Sequence, residues 1–157
     1  MIVICEPDDT FLAEDIFKLF EFSNNVGIVY GSRTVKKFIW ENANMGLLLK
    51  WGNWLVAKTI EVLFNTNYLS DVGCTYRLIS REALNKILPF LKVKTNFFGP
   101  EMMVRGYLEG ITCIQIPVNY KERVGVSSVT GDLKKAVTLG MRMIVLIFSM
   151  RFLAAEG

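Results

Sequence analysis

Short apolar runs alternate with amphipathic stretches along the first part of the chain. The apolar run at residues 2–5 predicts a buried strand, which Pro7 ends because proline has no N–H for a sheet ladder. Residues 10–22 are amphipathic and predict a helix, with Asp15 among its solvent-facing positions. Residues 26–30 predict a second buried strand. This order predicts a right-handed βαβ unit whose two strands pair in parallel.

The rest of the chain continues the alternation. Ser80 precedes an amphipathic segment and is typical of a helix N-cap, because its hydroxyl can accept a backbone N–H. Pro100 and Gly110 bracket another helical stretch, which is the usual order of proline near a helix start and glycine past its end. We predict helices at 42–64, 96–109 and 133–152, and strands ending at 79 and spanning 111–117.

Two of these helices are strongly apolar. The chain has 52% hydrophobic residues and a mean hydropathy of +0.34, and the excess lies in 42–64 and 133–152. Lys50 and Lys58 interrupt the first helix, and only a short uncharged run separates the arginines of the second. Both uninterrupted runs are shorter than the roughly 20 residues that a membrane-spanning helix needs.

The final helix has a narrow polar stripe. Lys135, Arg142 and Ser149 recur every seven residues, and apolar side chains fill most of the remaining positions. Such a helix suits the plane of a membrane interface, where basic residues meet anionic lipid. We therefore predict a membrane-interfacial helix at 131–157, which holds the protein peripherally on the cytoplasmic, inner face of a membrane. The alternative is a helix that packs on the remainder of a larger protein.

Charge and composition exclude several kinds of site. The net charge of +3 gives no nucleic-acid footprint, so we expect no nucleic-acid partner. The absence of histidine excludes Ser–His and Cys–His nucleophiles and imidazole-ligated zinc. Cys5, Cys74 and Cys113 are few and far apart, which favours a reducing compartment over a disulfide framework.

Charged side chains follow both of the first two predicted strands. Glu6 and Asp8 come after the first strand, and Arg33 comes after the second. Ligands bind at the carboxyl edge of open α/β sheets, where carboxylates suit a divalent cation and arginine binds phosphate bidentately. The pattern therefore predicts a phosphate–metal site. The alternatives are an acidic helix N-cap at 8–10 and an ordinary surface ion pair for Arg33.

Two loops carry further candidates. Asp71 lies two residues before Gly73, a pattern that turn chemistry alone also produces. The polar segment 122–128 can close over an anionic ligand, with Arg123 as its charge and Ser127 as a hydrogen-bond donor.

Five short motifs then follow one another along nearly the whole chain. They are Glu6-Pro7-Asp8; Gly31-Ser32-Arg33; Ser70-Asp71 with Gly73, Tyr76-Arg77 and Arg81-Glu82-Ala83-Leu84; Glu101 with Arg105; and Ile116-Pro117-Val118 with Arg123, Gly125 and Ser127. In this order they resemble the inverting GT-A glycosyltransferases of the dolichol-phosphate-mannose-synthase type. Two positions depart from that pattern, since Glu6 stands where the family has Asp and Ser128 where it often has Lys.

The resemblance implies a partial GT-A (Rossmann-like) α/β fold with a mixed sheet and a C-terminal amphipathic helix. It implies transfer of a hexose from a nucleotide-diphosphate sugar to a polyprenyl phosphate at a membrane surface. Glu6 and Asp8 would hold Mg²⁺ or Mn²⁺, and Arg33, Arg77, Arg123 and Ser127 would bind phosphates. Asp71 and Arg123 would be the catalytic residues.

The resemblance also sets the expected domain organisation. Residues 1–130 correspond to the C-terminal part of a GT-A catalytic domain, and 131–157 to the interfacial helix. The family's N-terminal nucleotide-binding half has no counterpart in the sequence, so we expect a gene fragment or one half of a split enzyme whose other half is a separate chain. On this reading the 157-residue chain alone transfers no sugar.

Two other functions stay open. The chain can be a catalytically inactive remnant that only binds a membrane or a partner. The strand followed by Glu6-x-Asp8-x-Thr10 also resembles the Asp-x-Asp-x-Thr motif of haloacid-dehalogenase phosphatases, although Glu6 replaces their aspartyl nucleophile.

Overall fold

The computed structural model describes residues 1–40, 43, 47–66, 68–121 and 133–153. These ranges contain four strands and five α-helices of an α/β protein. In chain order they are β1 (Ile2–Ile4), α1 (Asp15–Phe22), β2 (Ile28–Ser32), α2 (Leu47–Phe64), β3 (Arg77–Ile79), α3 (Arg81–Ile87), α4 (Phe98–Leu108), β4 (Cys113–Pro117) and α5 (Leu133–Leu153).

The strands form one mixed sheet in the order β1-β3-β2-β4. β3 runs antiparallel to both of its neighbours, whereas β2 and β4 are parallel. The register aligns Val3 with Leu78, Leu78 with Val29, and Val29 with Ile114 across the sheet. All four side chains belong to one apolar cluster, so a single row crosses the sheet on one face.

The predicted parallel pairing of the first two strands is wrong. β1 and β2 run in the same direction, but β3 lies between them and hydrogen-bonds to both. Every residue of β3 is buried, and burial on both faces is what a central strand requires. Chain order alone does not show that a later segment enters between two earlier strands.

Helices cover both faces of the sheet. Leu19 of α1 packs with Val29 and Leu78 on one face. On the other face, α4 lies against β2, where a Cβ on Gly106 would be 3.2 Å from Ile28 Cδ1. α2 and α5 pack on α4 and on each other. Met143 of α5 is buried in the same cluster as these sheet residues, so α5 contributes to the core.

Several predicted element boundaries are confirmed. Ser80 caps α3, because its Oγ accepts the backbone N–H of Ala83 at 3.0 Å. α4 has Pro100 in its first turn, and Gly110 follows its end with a φ of +66°. Among the described helices, none is both long and apolar enough to cross a membrane.

The helix predicted at 10–22 begins only at Asp15. The preceding residues pair instead with a distant segment: Thr10 O accepts the backbone N–H of Lys121 at 2.8 Å, and Phe11 forms a bridge with Tyr120. The prediction that Asp15 faces solvent is also wrong. Its buried carboxylate accepts hydrogen bonds from the backbone N–H and the side-chain amide of Asn119.

The end of β2 leaves no room for a side chain at Gly31. A Cβ there would lie 2.8 Å from the carbonyl oxygen of Tyr76 and 2.9 Å from Cys74 Sγ. Gly31 also donates its N–H to that carbonyl at 2.8 Å, which holds the Tyr76 backbone in place. The glycine therefore sets how closely the segment before β3 approaches β2.

We predict that Gly31→Ala destabilises the protein by about 2–3 kcal/mol, because overpacking against backbone forces the two segments apart. Gly140→Ala is the matched control, since a Cβ at Gly140 of α5 meets nothing within 4 Å. Alanine there stabilises the helix by about 0.5–1 kcal/mol. Urea unfolding followed by circular dichroism measures both, and equal effects of the two substitutions would contradict the packing argument.

Candidate functional site

Four loop segments meet at one edge of the sheet. β1, β2 and β4 point in the same direction, so residues 6–9, 33–34 and 118–121 follow their carboxyl ends at that edge. β3 runs the opposite way, so the segment 70–76 that precedes it reaches the same edge. Because β3 is antiparallel, the segment that precedes it lies at the same edge as the three segments that follow β1, β2 and β4.

A buried ion pair joins two of these segments. Arg33 Nε donates to Asp71 Oδ2 at 2.8 Å, and Arg33 Nη2 donates to Oδ1 at 2.9 Å. The backbone N–H groups of Arg33 and Gly73 add hydrogen bonds of 3.0 Å each. The Asp71 side chain has no exposed surface, so four donors replace its hydration. A bidentate pair of this kind has a single preferred geometry.

The ion pair determines the charge of both groups. Burial alone would favour neutral Asp71, but the charge and hydrogen bonds of Arg33 outweigh it and lower the pKa of the carboxyl from its ordinary value. Burial likewise opposes the charge of Arg33, yet Asp71 raises the pKa of the guanidinium above its ordinary value. Asp71 is therefore an anion at neutral pH and has little capacity to accept a proton.

Gln115 of β4 binds the backbone of the loop that contains Ser70 and Asp71. Its Oε1 accepts the backbone N–H groups of Ser70 at 2.7 Å and of Asp71 at 3.2 Å. Its Nε2 donates to the carbonyl oxygens of Asp71 at 2.6 Å and of Gly31 at 3.2 Å. One amide side chain thus ties this loop to the end of β2.

Three hydroxyls lie beside the ion pair. Ser32 Oγ is 2.8 Å from both Ser70 Oγ and Thr34 Oγ1, and Thr34 Oγ1 donates to Ser70 Oγ at 2.9 Å. Asn53 of α2 closes the other side, because a Cβ on Gly73 would lie 2.7 Å from Asn53 Oδ1 and 2.9 Å from Arg33 Nη2. Glycine at position 73 is what lets the loop pass between these two side chains.

The acidic segment after β1 is ordered by a local turn. Asp8 Oδ1 accepts the hydroxyl of Thr10 at 2.6 Å and its backbone N–H at 3.2 Å. Asp9 takes a positive φ of 58°, and its carboxylate pairs with Lys121 Nζ at 2.8 Å. Glu6 and Asp8 are both partly exposed. Among the described residues, no group of three or more acidic or cysteine side chains is arranged to hold a metal.

Aromatic rings connect the acidic segment to Arg33. The ring centroid of Phe11 is 6.0 Å from that of Tyr120, and the Arg33 guanidinium carbon lies 5.4 Å from the Tyr120 centroid. Phe11 also lies 5.1 Å from the ring of Tyr76, in the segment before β3. Phe11, three residues after Asp8, is therefore connected to Arg33 through the ring of Tyr120.

Arg77 occupies a different environment from Arg33. Its guanidinium is buried over the Tyr30 ring and donates to the carbonyl oxygens of Cys74 at 2.8 Å, Gly99 at 2.9 Å and Val72 at 3.0 Å. No carboxylate contacts it among the described residues, and burial lowers the pKa of the group. These contacts show Arg77 fixing the 72–74 loop and the start of α4.

The remaining predicted site residues, Arg123 and Ser127, lie outside the described residues. The last described residue before them is Lys121, which bonds Asp9. The sequence did not predict a role for Gln115. The available sequence signal is that Gln115 is a single amide inside the apolar strand from Cys113 to Ile116. An isolated polar residue in a strand usually indicates a solvent-facing position, so this signal is weak.

Comparison with known proteins identified no relative of this chain. No protein-family model, no curated protein and no solved structure matches this chain.

We predict that Asp71→Asn destabilises the protein by about 3 kcal/mol or more at neutral pH, because it leaves the Arg33 charge buried without a counter-ion. The pKa of Asp71 is lowered on folding, so its stabilisation is complete above about pH 4 and is lost as pH falls below that value. The wild type should therefore lose stability below pH 4 more steeply than the variant. Chemical unfolding at a series of pH values measures this, and parallel pH profiles would contradict it.

We predict the opposite pH dependence for Gln115→Glu. At neutral pH a carboxylate oxygen would face the carbonyl oxygens of Gly31 and Asp71, which now accept from Nε2. The expected destabilisation is about 2–3 kcal/mol. Burial raises the pKa of such a glutamate, so the loss should shrink as pH falls towards 5 and the acid becomes a donor. A loss that does not depend on pH would rule out this role of the amide.

Proposed function

We propose that this chain supplies the metal- and phosphate-binding part of an inverting glycosyltransferase site. In this proposal a hexose passes from a nucleotide-diphosphate sugar to a polyprenyl phosphate at the cytoplasmic face of a membrane, where the protein is peripheral. The observation that supports it most is the connected edge on which the acidic segment after β1, Arg33 after β2 and Asp71 before β3 come together. Residues of three of the resembling motifs, Asp8, Arg33 and Asp71, belong to segments at this edge.

The acidic segment fits a divalent cation with few protein ligands. Mg²⁺ commonly takes one or two carboxylates and completes its octahedron with water and substrate phosphates, and Mn²⁺ accepts similar oxygen ligands. Asp8 and Glu6 provide two partly exposed carboxylates, and the Thr10 hydrogen bonds hold Asp8 in one orientation. A bound cation would neutralise charge on the diphosphate as it leaves.

Arg33 is the best described candidate for an acceptor phosphate. Its Nε and Nη2 are held by Asp71, and among the described residues Nη1 has no hydrogen-bond partner. The side chain keeps 14% of its surface exposed, so one N–H group can reach a phosphate oxygen. Asp71 then acts by orienting Arg33. A phosphate monoester is already ionised near neutral pH, so the acceptor needs no strong base, in agreement with a chain that contains no histidine.

The roles of the other predicted residues follow from their surroundings. We propose that Arg77 shapes the loop beside the site, because its donors are directed at backbone carbonyls. Arg123 and Ser127 stay predicted phosphate ligands. The alternative function, a non-catalytic module that binds a membrane or a partner, is favoured by the exposed apolar side chains of α2 and α5.

The metal part of the proposal can be tested without turnover. We predict that the chain binds Mn²⁺ together with pyrophosphate, which carries two phosphates without base or sugar, in a titration followed by electron paramagnetic resonance. Asp8→Asn should weaken this binding at least about tenfold, or roughly 1.4 kcal/mol.

Asp9→Asn is the matched control. Asp9 is adjacent, 69% exposed and paired with Lys121, and asparagine tolerates its positive φ. It should leave binding within about twofold, since an exposed ion pair contributes little. Equal losses in the two variants would indicate a general charge effect. No Mn²⁺–pyrophosphate binding by the folded wild type would reject the metal site and favour the non-catalytic module.

A further inference from the structure

We infer that α2 and α5 together form a two-helix platform that lies flat on an anionic bilayer. The sequence predicts an interfacial last helix and leaves the helix at 42–64 as either a core helix or partly lipid-facing, whereas in the fold both helices expose an apolar stripe. The platform face consists of six apolar side chains that are each 54–79% exposed: Trp51, Leu55 and Val62 of α2, and Met141, Val145 and Phe152 of α5.

The two helices expose these residues with the same spacing. In each helix the three positions follow as i, i+4 and i+11, which fall on one stripe of an α-helix. The opposite sides carry the buried residues, Val56 and Ile60 in α2 and Met143 and Ile147 in α5. Both stripes therefore point away from the core. Burial in the fold does not account for either stripe.

The helices lie side by side, which allows the two stripes to form one surface. α2 and α5 pack directly on each other. At their carboxyl ends, Arg151 Nε donates to the carbonyl oxygen of Leu63 at 3.0 Å, and its guanidinium lies 5.8 Å from the Phe64 ring centroid. A contiguous exposed apolar surface of this kind marks a binding face in a soluble fold.

Charge complementarity selects the partner. The two helices contain six basic residues, namely Lys50, Lys58, Lys134, Lys135, Arg142 and Arg151, and one acidic residue, Glu61. This gives the pair a charge of +5 in a chain of net charge +3, so the rest of the chain is negative by two. On the other face of the sheet, α1 also exposes Phe17, but its one basic residue, Lys18, is paired with the buried Asp15, and Glu21 is exposed. An anionic lipid surface therefore attracts the α2–α5 face more strongly than the α1 face.

The amino-terminal half of α2 and a neighbouring tyrosine add interfacial aromatic residues. The rings of Trp51 and Trp54 lie 5.7 Å apart, and Lys58 Nζ is 4.1 Å from the ring centroid of the exposed Tyr68. Tryptophan and tyrosine prefer the headgroup level of a bilayer, where an apolar ring can keep its polar atom hydrated. Lysine beside such rings suits anionic headgroups.

The platform also sets the distance from the bilayer to the candidate site. Asn53 lies on the opposite side of α2 from Trp51, beside Gly73 and the Arg33 guanidinium. The thickness of one helix, about 10 Å, therefore separates the platform face from the Arg33–Asp71 pair. This deepens the proposed function, on which it rests for its substrate: the acceptor phosphate would belong to a lipid whose headgroup is at that level.

Binding of the full chain to vesicles tests the platform. Two paired substitutions remove apolar side chains from one helix each, Leu55→Ser with Val62→Ser in α2 and Met141→Ser with Val145→Ser in α5. Phe17→Ser with Phe22→Ser in α1 is the matched control, because these rings are 74% and 49% exposed on the other face of the sheet. Thermal unfolding of every variant measures whether the fold is kept.

We expect the wild type to co-sediment with phosphatidylcholine–phosphatidylglycerol vesicles and to lose this binding in high salt or on phosphatidylcholine alone. The α2 pair and the α5 pair should each weaken partitioning by about tenfold or more, and the α1 pair by less than about twofold. In a variant that keeps only Trp51 (Trp40→Phe, Trp54→Phe), brominated lipid should quench the tryptophan fluorescence. In a variant that keeps only Trp40, brominated lipid should leave the fluorescence unchanged.

Three results would overturn the inference. If the α2 pair binds like the wild type while the α5 pair does not bind, α5 acts alone. If all three pairs lose binding equally, the contact is not specific to this face. If sedimentation equilibrium without lipid shows a dimer that the α2 pair dissociates, the face is an interface between copies. Mn²⁺–pyrophosphate binding by the same variants should be unchanged, so failure of the metal site and failure of the platform are separate outcomes.

Discussion

The buried ion pair between Arg33 and Asp71 is the interaction on which the site depends. A carboxylate with no exposed surface is tolerated only where its charge and lone pairs are compensated. Here two guanidinium N–H groups and two backbone N–H groups supply the compensation, and all four come from the segments that the pair joins. The position of the 70–74 loop relative to the end of β2 is therefore fixed by electrostatics, with Gln115 holding the same loop from the sheet.

The antiparallel position of β3 creates this geometry. If β1 and β2 were direct neighbours, nothing in the sheet would place the segment 70–76 at the edge where both strands end. With β3 between them, the chain must enter at that edge, and Asp71 arrives opposite Arg33. The same insertion buries Arg77, the first residue of β3. Its guanidinium donates to the carbonyl oxygens of Cys74 and Val72 and so stabilises the 72–74 loop. Two arginines of one edge thus differ in role because one meets a carboxylate and the other meets peptide groups.

Local pattern predicted the elements well and their partners poorly. The helices of α4 and α5, the Ser80 cap and the strand at β4 follow from periodicity and end signals within a few residues, which sequence shows directly. The late start of α1 depends on Thr10 and Phe11 pairing with residues 120–121, and no local signal encodes that contact. Asp15 was misjudged for the same reason, because its burial is possible only where a distant segment supplies its hydrogen bonds. The role of Gln115 was not predicted, since its partners Ser70 and Asp71 also lie in a distant segment.

The candidate site shows the same division. The sequence indicated which charged residues follow β1 and β2, because strand ends and residue types are local properties. It did not show that Arg33 is already engaged by Asp71, which changes what either group can do: an ionised, enclosed carboxylate orients a cation and does not take a proton. The reaction that we propose, between a phosphate acceptor and a metal-bound diphosphate, joins groups that are charged before they meet. It therefore needs no side chain with an ordinary pKa near neutrality, and the chain contains no histidine.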